Sequence, residues 1–462
     1  MPRLAHDKIT WLVYAQLGLW GFFLYGFGPV VPLLRDEQGT SAAVAGLHST
    51  AIAVGAMLGG ALFAPVARRV GRGPATWLGL AGVAAGVTAF GALRTMPATL
   101  AAVIVIATFG MMVVSGVNVV LTAHHGPAAP AALTEANAAC AGMGILAPLV
   151  IGSTVDAGLG WRPVMAVEVG LIALVALAAL AFRVRLPGTA APVASSTAPV
   201  ASSTAPVASS AASAASSAAP AAPSSAPAAS SAAPAASSAA PAASSAAPAG
   251  PSTAPAVAPR AGRGPLPRAY WIAWLLMAAT GSIEVCLSLW TADVLRSHAG
   301  LGAGVASAAV AAIVSGMFLG RLVGGRAALR YPPVPLLLVA LGTSLAGFAV
   351  FWTAPIGWLA VSGLVVLGLG NALHYPLAIS IALAVAGPAA DKAAGWASYS
   401  MAVGFGIAPV ALGWVADMVG PHLAFLLLPG FIAAAVLLAL RLGRALRSGR
   451  TTDTPAPAPV GA

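Results

Sequence analysis

Glu284 is a carboxylate at the centre of an otherwise apolar stretch, TGSIEVCLSLWT, with Thr280, Ser288 and Thr291 at i−4, i+4 and i+7. That spacing puts the four on one face of a helix. An ionisable side chain in the middle of a bilayer-length segment is costly and marks a functional position. There it can exchange a proton, hold a cationic solute, or hydrogen-bond a neighbouring helix. A second polar stripe, Thr108, Ser115, Asn118 and Thr122, recurs near the helical period. Asn371, His374 and Tyr375 in GNALHYP form a third group, and Gln16 with Trp20 a fourth. Each can contact a solute or bond helix to helix. Glu168 reads as a packing or snorkelling group.

Other chemistries find no residues to carry them. His124 and His125 are adjacent, so they diverge around a helix without further ligands at metal spacing, and read as a solvated helix end. Glu135 and Asp391 stand at helix starts, where a carboxylate favours the positive dipole. No GxxxxGK[ST], HExxH or GxSxG is present, so neither ATP drive, a metal, a cofactor nor an enzymatic activity is expected.

The elements that must position these groups follow from hydropathy. The chain has 462 residues, 59% hydrophobic and only 7% charged, too few polar groups to cover a soluble surface. A bilayer-spanning helix needs roughly 20 mostly apolar residues. Twelve such segments are expected: 10–34, 43–66, 75–94, 97–123, 134–158, 161–184, 269–296, 302–327, 334–353, 356–386, 391–416 and 421–442. They divide into a bundle over 1–185 and another over 265–446, with a tail at 447–462 expected to be disordered. Between them 186–264 is nearly all Ala, Pro, Ser, Thr, Val and Gly, with proline at a seven-residue period. Prolines that frequent break helices, so this is expected to be a disordered linker.

The formal charge of +11 could suggest a nucleic-acid partner, but the positions of the basic residues do not. With the N-terminus inside, eighteen of the 22 Lys and Arg fall on the cytoplasmic side, leaving Arg35, Arg94, Arg162 and Arg296 outside. This positive-inside bias predicts a multi-pass cytoplasmic-membrane protein with both termini and the linker cytoplasmic. The basic tail, RLGRALRSGR, would rest on lipid headgroups.

The two halves repeat. APLVIGSTVD at 147–156 and APVALGWVAD at 408–417 match at Pro148/Pro409, Gly152/Gly413 and Asp156/Asp417, a 261-residue separation throughout. At the same separation GAMLGGALFAPVARR overlies GMFLGRLVGGRAALR, and LLRDEQG overlies VLRSHAG. Parallel repeats of six helices build two bundles around a midplane site in many transporters. Proline in a spanning helix frees a carbonyl and permits a bend, so Pro148, Pro409, Gly152 and Gly413 are candidate hinges. Asp156 and Asp417 read as helix-end caps or loop anchors.

With these repeats the sequence resembles the major facilitator superfamily of secondary transporters over both halves. In that family a basic cluster follows the second helix. Arg69, Gly71 and Arg72 of APVARRVGRG fit it, Ala64 replaces a glycine, and Arg68 stands where an acid is usual. Gly320 and Arg321 are assigned to the second copy of this loop motif. The fifth-helix AP…G is similar to the motif of family antiporters, which points toward export. The resemblance implies an all-α fold of two six-helix bundles, a small-molecule substrate with H+ as a possible second one, and a monomer in the lipid bilayer. The expected function is proton-coupled transport by alternating access. The alternatives are an uncoupled facilitator and a transporter-like receptor or scaffold.

Overall fold

A computed structural model describes residues 6–184, 186 and 265–452. The first half folds as α1 (Lys8–Gln38), α2 (Ala42–Val70), α3 (Arg72–Ala92), α4 (Met96–His125), α5 (Ala129–Asp156) and α6 (Arg162–Ala181). The second comprises α7 (Arg268–Ser297), α8 (Ala303–Arg330), α9 (Pro333–Thr353), α10 (Gly357–Asn371), α11 (His374–Ala386), α12 (Ala390–Val419), α13 (Pro421–Ala424) and α14 (Leu427–Thr452). Among the described residues twelve spans are long and apolar enough to cross a bilayer, α10–α11 and α13–α14 each counting as one. We call the end holding Lys8 and Arg268 the terminal face and the end holding Gln38 and Ser297 the distal face.

Local chemistry sets the helix ends. The Thr10 N–H donates to Asp7 Oδ1 at 2.9 Å, capping α1, and the Val44 N–H donates to Ser41 Oγ at 3.3 Å, capping α2. Gly126 and Gly387, one repeat apart, both take φ 50°, where a side chain would be strained. Each opens a single 3₁₀ turn before α5 or α12. Where 447–462 was expected to be a disordered tail, α14 continues to Thr452. The linker expectation lies outside the described residues apart from Leu186.

Within each half, small residues let backbones approach. A Cβ on Gly55 or Gly59 would strike the Ile104 or Thr108 carbonyl of α4, and one on Gly316 or Gly320 the Val365 or Leu369 carbonyl of α10. The repeated glycines therefore mark the same helix crossing in both bundles. An aromatic chain fills the first core: Trp20–Phe23 at 5.8 Å, Phe23–Phe27 at 5.5 Å, Phe27–Phe90 at 6.0 Å and Phe90–Trp161 at 5.3 Å. Outward faces stay apolar, as Leu174, Leu177 and Leu180 of α6 show.

His124 and His125 end α4, His124 exposed and His125 half-buried, as expected of a solvated helix end, and both are also hydrogen-bonded. His124 Nε2 lies 2.7 Å from Asp7 Oδ2, and His125 Nε2 lies 2.9 Å from Thr10 Oγ1. Glu135 accepts from the Tyr14 hydroxyl at 3.1 Å and lies 2.6 Å from His6 Nε2. Together they tie the chain start to α4 and α5. Slight burial works against the ionised form of Asp7, but hydrogen bonds from Thr10 and His124 prevail and hold its carboxyl at about 2.

Candidate functional site

Glu284 sits midway along α7, half-buried while its neighbours Ile283 and Val285 are buried. The groups that interact with it come from α1, α8 and α11, which places it at the interior between the bundles. Three elements bring ionisable groups to it: Arg321 from α8, Tyr25 from α1 and Tyr375 from α11 interact with its charge. The Tyr25 phenol and the Arg321 guanidinium also interact with each other. Cys140 of α5 faces the same pair. The Tyr25 ring lies where a Cβ on Gly144 would stand, and the Cys140 backbone where one on Gly21 would. Glycine at both positions thus lets α1 and α5 close around the site.

Arg321 overturns its sequence assignment. It lies inside α8, nine residues before Arg330, about 13 Å from the helix end at 1.5 Å per residue. Its long side chain reaches the midplane instead of a terminal-face loop. Gly320 likewise packs within α8 against α10. In the first copy the placement holds. Arg68 and Arg69 close α2, Gly71 turns the chain at φ 93°, and Arg72 opens α3.

The remaining candidates divide. Ser288 stands one turn beyond Glu284, its hydroxyl where a Cβ on Gly28 of α1 would be, so it lies at the α1–α7 crossing. Thr280 is buried and donates to the Met277 carbonyl at 3.0 Å, and Thr291 to Leu287 at 2.6 Å. Both hydroxyls are spent on their own helix. Thr108 does the same toward Ile104 at 2.7 Å, whereas Ser115 and Asn118 of α4 stay half-buried.

The tenth span breaks between Asn371 and His374, three residues before Pro376, which has no N–H to continue the ladder. The break turns the cluster three ways. Asn371 Nδ2 points to Met317 Sδ of α8 at 3.7 Å. His374 Nε2 lies 3.1 Å from Ser344 Oγ of α9, away from Glu284. The buried Tyr375 hydroxyl and Asn371 Oδ1 have no hydrogen-bond partner. Gln16 is fully buried with both amide atoms unpartnered, one turn before Trp20, whose ring lies against Gly110 of α4. Glu168 is fully buried too, both oxygens unpartnered. A snorkelling role is therefore excluded.

Hydrogen bonds and close backbone approaches between the bundles gather toward the distal face. Arg35 of α1 pairs with Asp293 of α7, and Arg296 Nη1 reaches Asp36 Oδ2 at 2.8 Å. The two arginines are equivalent in the repeat, and each crosses to an acid on the other bundle. Asp417 accepts from the N–H groups of Ala42 at 2.7 Å and Ala43 at 3.0 Å, capping α2 from the other bundle. Its repeat mate Asp156 lies against Gly304 in the first turn of α8. Both aspartates thus stand at helix ends, as expected of caps, but those ends belong to the opposite bundle.

The prolines fit the same seam. Pro409 removes the donor that would bind the Phe405 carbonyl, and Ser49 Oγ of α2 donates to that carbonyl at 2.6 Å. Thr50 Oγ1 donates to the Gly406 carbonyl at 2.6 Å. Gly413 approaches the Ala42 backbone, and Gly152 the Gly304 carbonyl and Ala308. Asp36 and Asp293 went unread in the sequence because both sit within two turns of a helix end, where a carboxylate is ordinary. Tyr25 carries no periodic signal at all.

Twelve apolar spans in two repeated bundles around a polar midplane describe a multi-pass membrane transporter fold. The sequence matches the Major Facilitator Superfamily over residues 16–390, and the chain belongs to that family. No curated protein matches it. Solved structures share the fold at low identity. The nucleoside transporter NupG is 13% identical with a TM-score of 0.65, over 95% of this chain and 98% of that one. A bacterial homologue of the human lysosomal transporter Spinster is 14% identical at 0.66, over 98% and 100%. A D-xylose–proton symporter is 15% identical at 0.61, over 94% and 96%.

Proposed function

We propose that this chain moves a small organic solute across the cytoplasmic membrane by alternating access, coupled to proton exchange at Glu284. The observation that carries the reading is Glu284 half-buried at mid-span between the bundles, its charge acting on Arg321 and Tyr25. Proton symport by a solved relative, the D-xylose–proton symporter, supports coupling. The basic residues on the terminal face support placing both termini in the cytoplasm. In that orientation the distal seam is the closed outer gate, and the site opens inward.

The test uses full-length protein in proteoliposomes with a trapped pH dye. Nucleosides, pentoses, hexoses, organic acids and organic cations are offered against an imposed pH gradient. Accumulation with a matching dye response is expected, and Glu284→Gln should abolish gradient-driven accumulation while leaving exchange. Equal accumulation by Glu284→Gln would remove Glu284 from the coupling, and equilibration without accumulation in the wild type would make the protein an uncoupled facilitator. Failure of every solute to cross would leave a receptor or scaffold.

A further inference from the structure

We infer that the solute is a small organic monoanion, a carboxylate held by Arg321 and Tyr25 beside Glu284. This rests on the transport reading above and specifies its substrate class.

Among the described residues Arg321 is the cation whose charge acts on Glu284, and a guanidinium keeps its charge at any physiological pH. Its planar fork matches a carboxylate in two parallel hydrogen bonds. The Tyr25 phenol already lies against it. Tyr375 adds a buried hydroxyl with no partner in the protein, beside Glu284. A solute oxygen would complete that hydroxyl, since buried polar groups in folded proteins rarely stay unpaired. The other helices packed against α7 bring no ionisable side chain to this depth: among the described residues, α10, α12 and α14 carry only apolar and uncharged groups at mid-span.

Charge balance fixes the rest. With Glu284 ionised, Arg321 is neutralised from within the protein and an arriving anion meets a competitor. A proton on Glu284 removes that competitor and leaves one unpaired positive charge, which one negative charge satisfies. A phosphate dianion would leave an excess charge in a partly desolvated site. Proton and monoanion therefore bind together and leave together, after which the charge of Glu284 again offsets that of Arg321. One proton and one monoanion per cycle carry no net charge.

Thermal shift on the full-length protein in detergent tests this with benzoate, phenylacetate, lactate and hexanoate, each beside its primary amide. Readings at about pH 5.5 and about pH 8 keep the probe carboxylates ionised, since simple carboxyls titrate near 4. At least one carboxylate should stabilise the protein, more strongly at the lower pH, and its amide should not. Arg321→Gln should weaken that binding at least ten-fold. Arg321→Lys, which keeps the charge, covers the case in which the glutamine variant does not fold, and should also weaken it by losing the fork. Glu284→Gln should bind equally at both pH values. In proteoliposomes, uptake should be indifferent to an imposed membrane potential. Carboxylates that are silent while sugars, nucleosides or organic cations bind would overturn the inference and leave the transport reading standing. Carboxylate binding unchanged in both arginine variants would also overturn it. Failure of transport itself is read separately, by the trapped dye.

Discussion

The distal clasp shows what single residues contribute. Asp293 is nearly buried and Arg35 largely so, and stripping one partner from such a pair leaves an uncompensated charge costing about 2–5 kcal/mol. Arg296 lies 3.9 Å from the same carboxylate, so Arg35→Ala should fall near the lower limit. Melting in detergent should show that loss, and exchanging the two residues (Arg35→Asp with Asp293→Arg) should recover most of it. A swap no more stable than the single variant would mean the pair is incidental. Asp7 gives a pH dependence. Its carboxyl is held at about 2 against an ordinary 3.8, so it stabilises the fold above about pH 4, an effect lost as pH falls toward 2. Wild type and Asp7→Asn should therefore differ in melting temperature at pH 5 and converge near pH 2. Curves that stay parallel over that range would remove Asp7 as the cause.

At the scale of elements, the proline in α12 is a contact device. The carbonyl it frees accepts from Ser49, so the defect in one helix joins the two bundles. Ser49→Ala should leave that carbonyl unmade, costing about 1–3 kcal/mol. Adding Pro409→Ala should restore the ladder bond and return part of that stability. If the double variant melts below the single one, the proline serves packing only. Pro148 has the same sequence setting, yet the described contacts of α5 across the seam run through Gly152 and Asp156. The repeat thus keeps the position of the proline while the two seams use it differently. The tenth span makes a related point. A single apolar run of 356–386 was legible, but Pro376 divides it, and the division decides that Tyr375 rather than His374 comes near Glu284.

For the whole molecule, the proposed alternating access has the two bundles, joined along the distal half, rock about the midplane charge cluster. Spin labels can follow both ends. Val70 and Tyr331 are exposed at the terminal face of the two bundles, Leu159 and Trp358 at the distal face. Under a transported solute and a pH gradient, the terminal pair should gain a population at shorter distance and the distal pair one at longer distance. Distances unchanged at both faces during turnover would refute the rocking motion.

Twelve spans and their grouping in sixes were readable because hydropathy, helical period and a fixed 261-residue repeat are properties of the chain itself. Glu284 was readable for the same reason, as a charge with no local justification. What it faces was not. Arg321 resembled a loop arginine by its neighbours GRLVGG, and only the length of α8 and the close approach of α1 and α5 carry its guanidinium to the midplane. Asp36 and Asp293 looked like ordinary helix-end charges until α1 and α7 were set side by side. Sequence determines which segments enter the membrane, since transfer from water to lipid is additive along the chain. Only tertiary structure decides which charges meet, because that depends on helix rotation and depth across residues hundreds of positions apart.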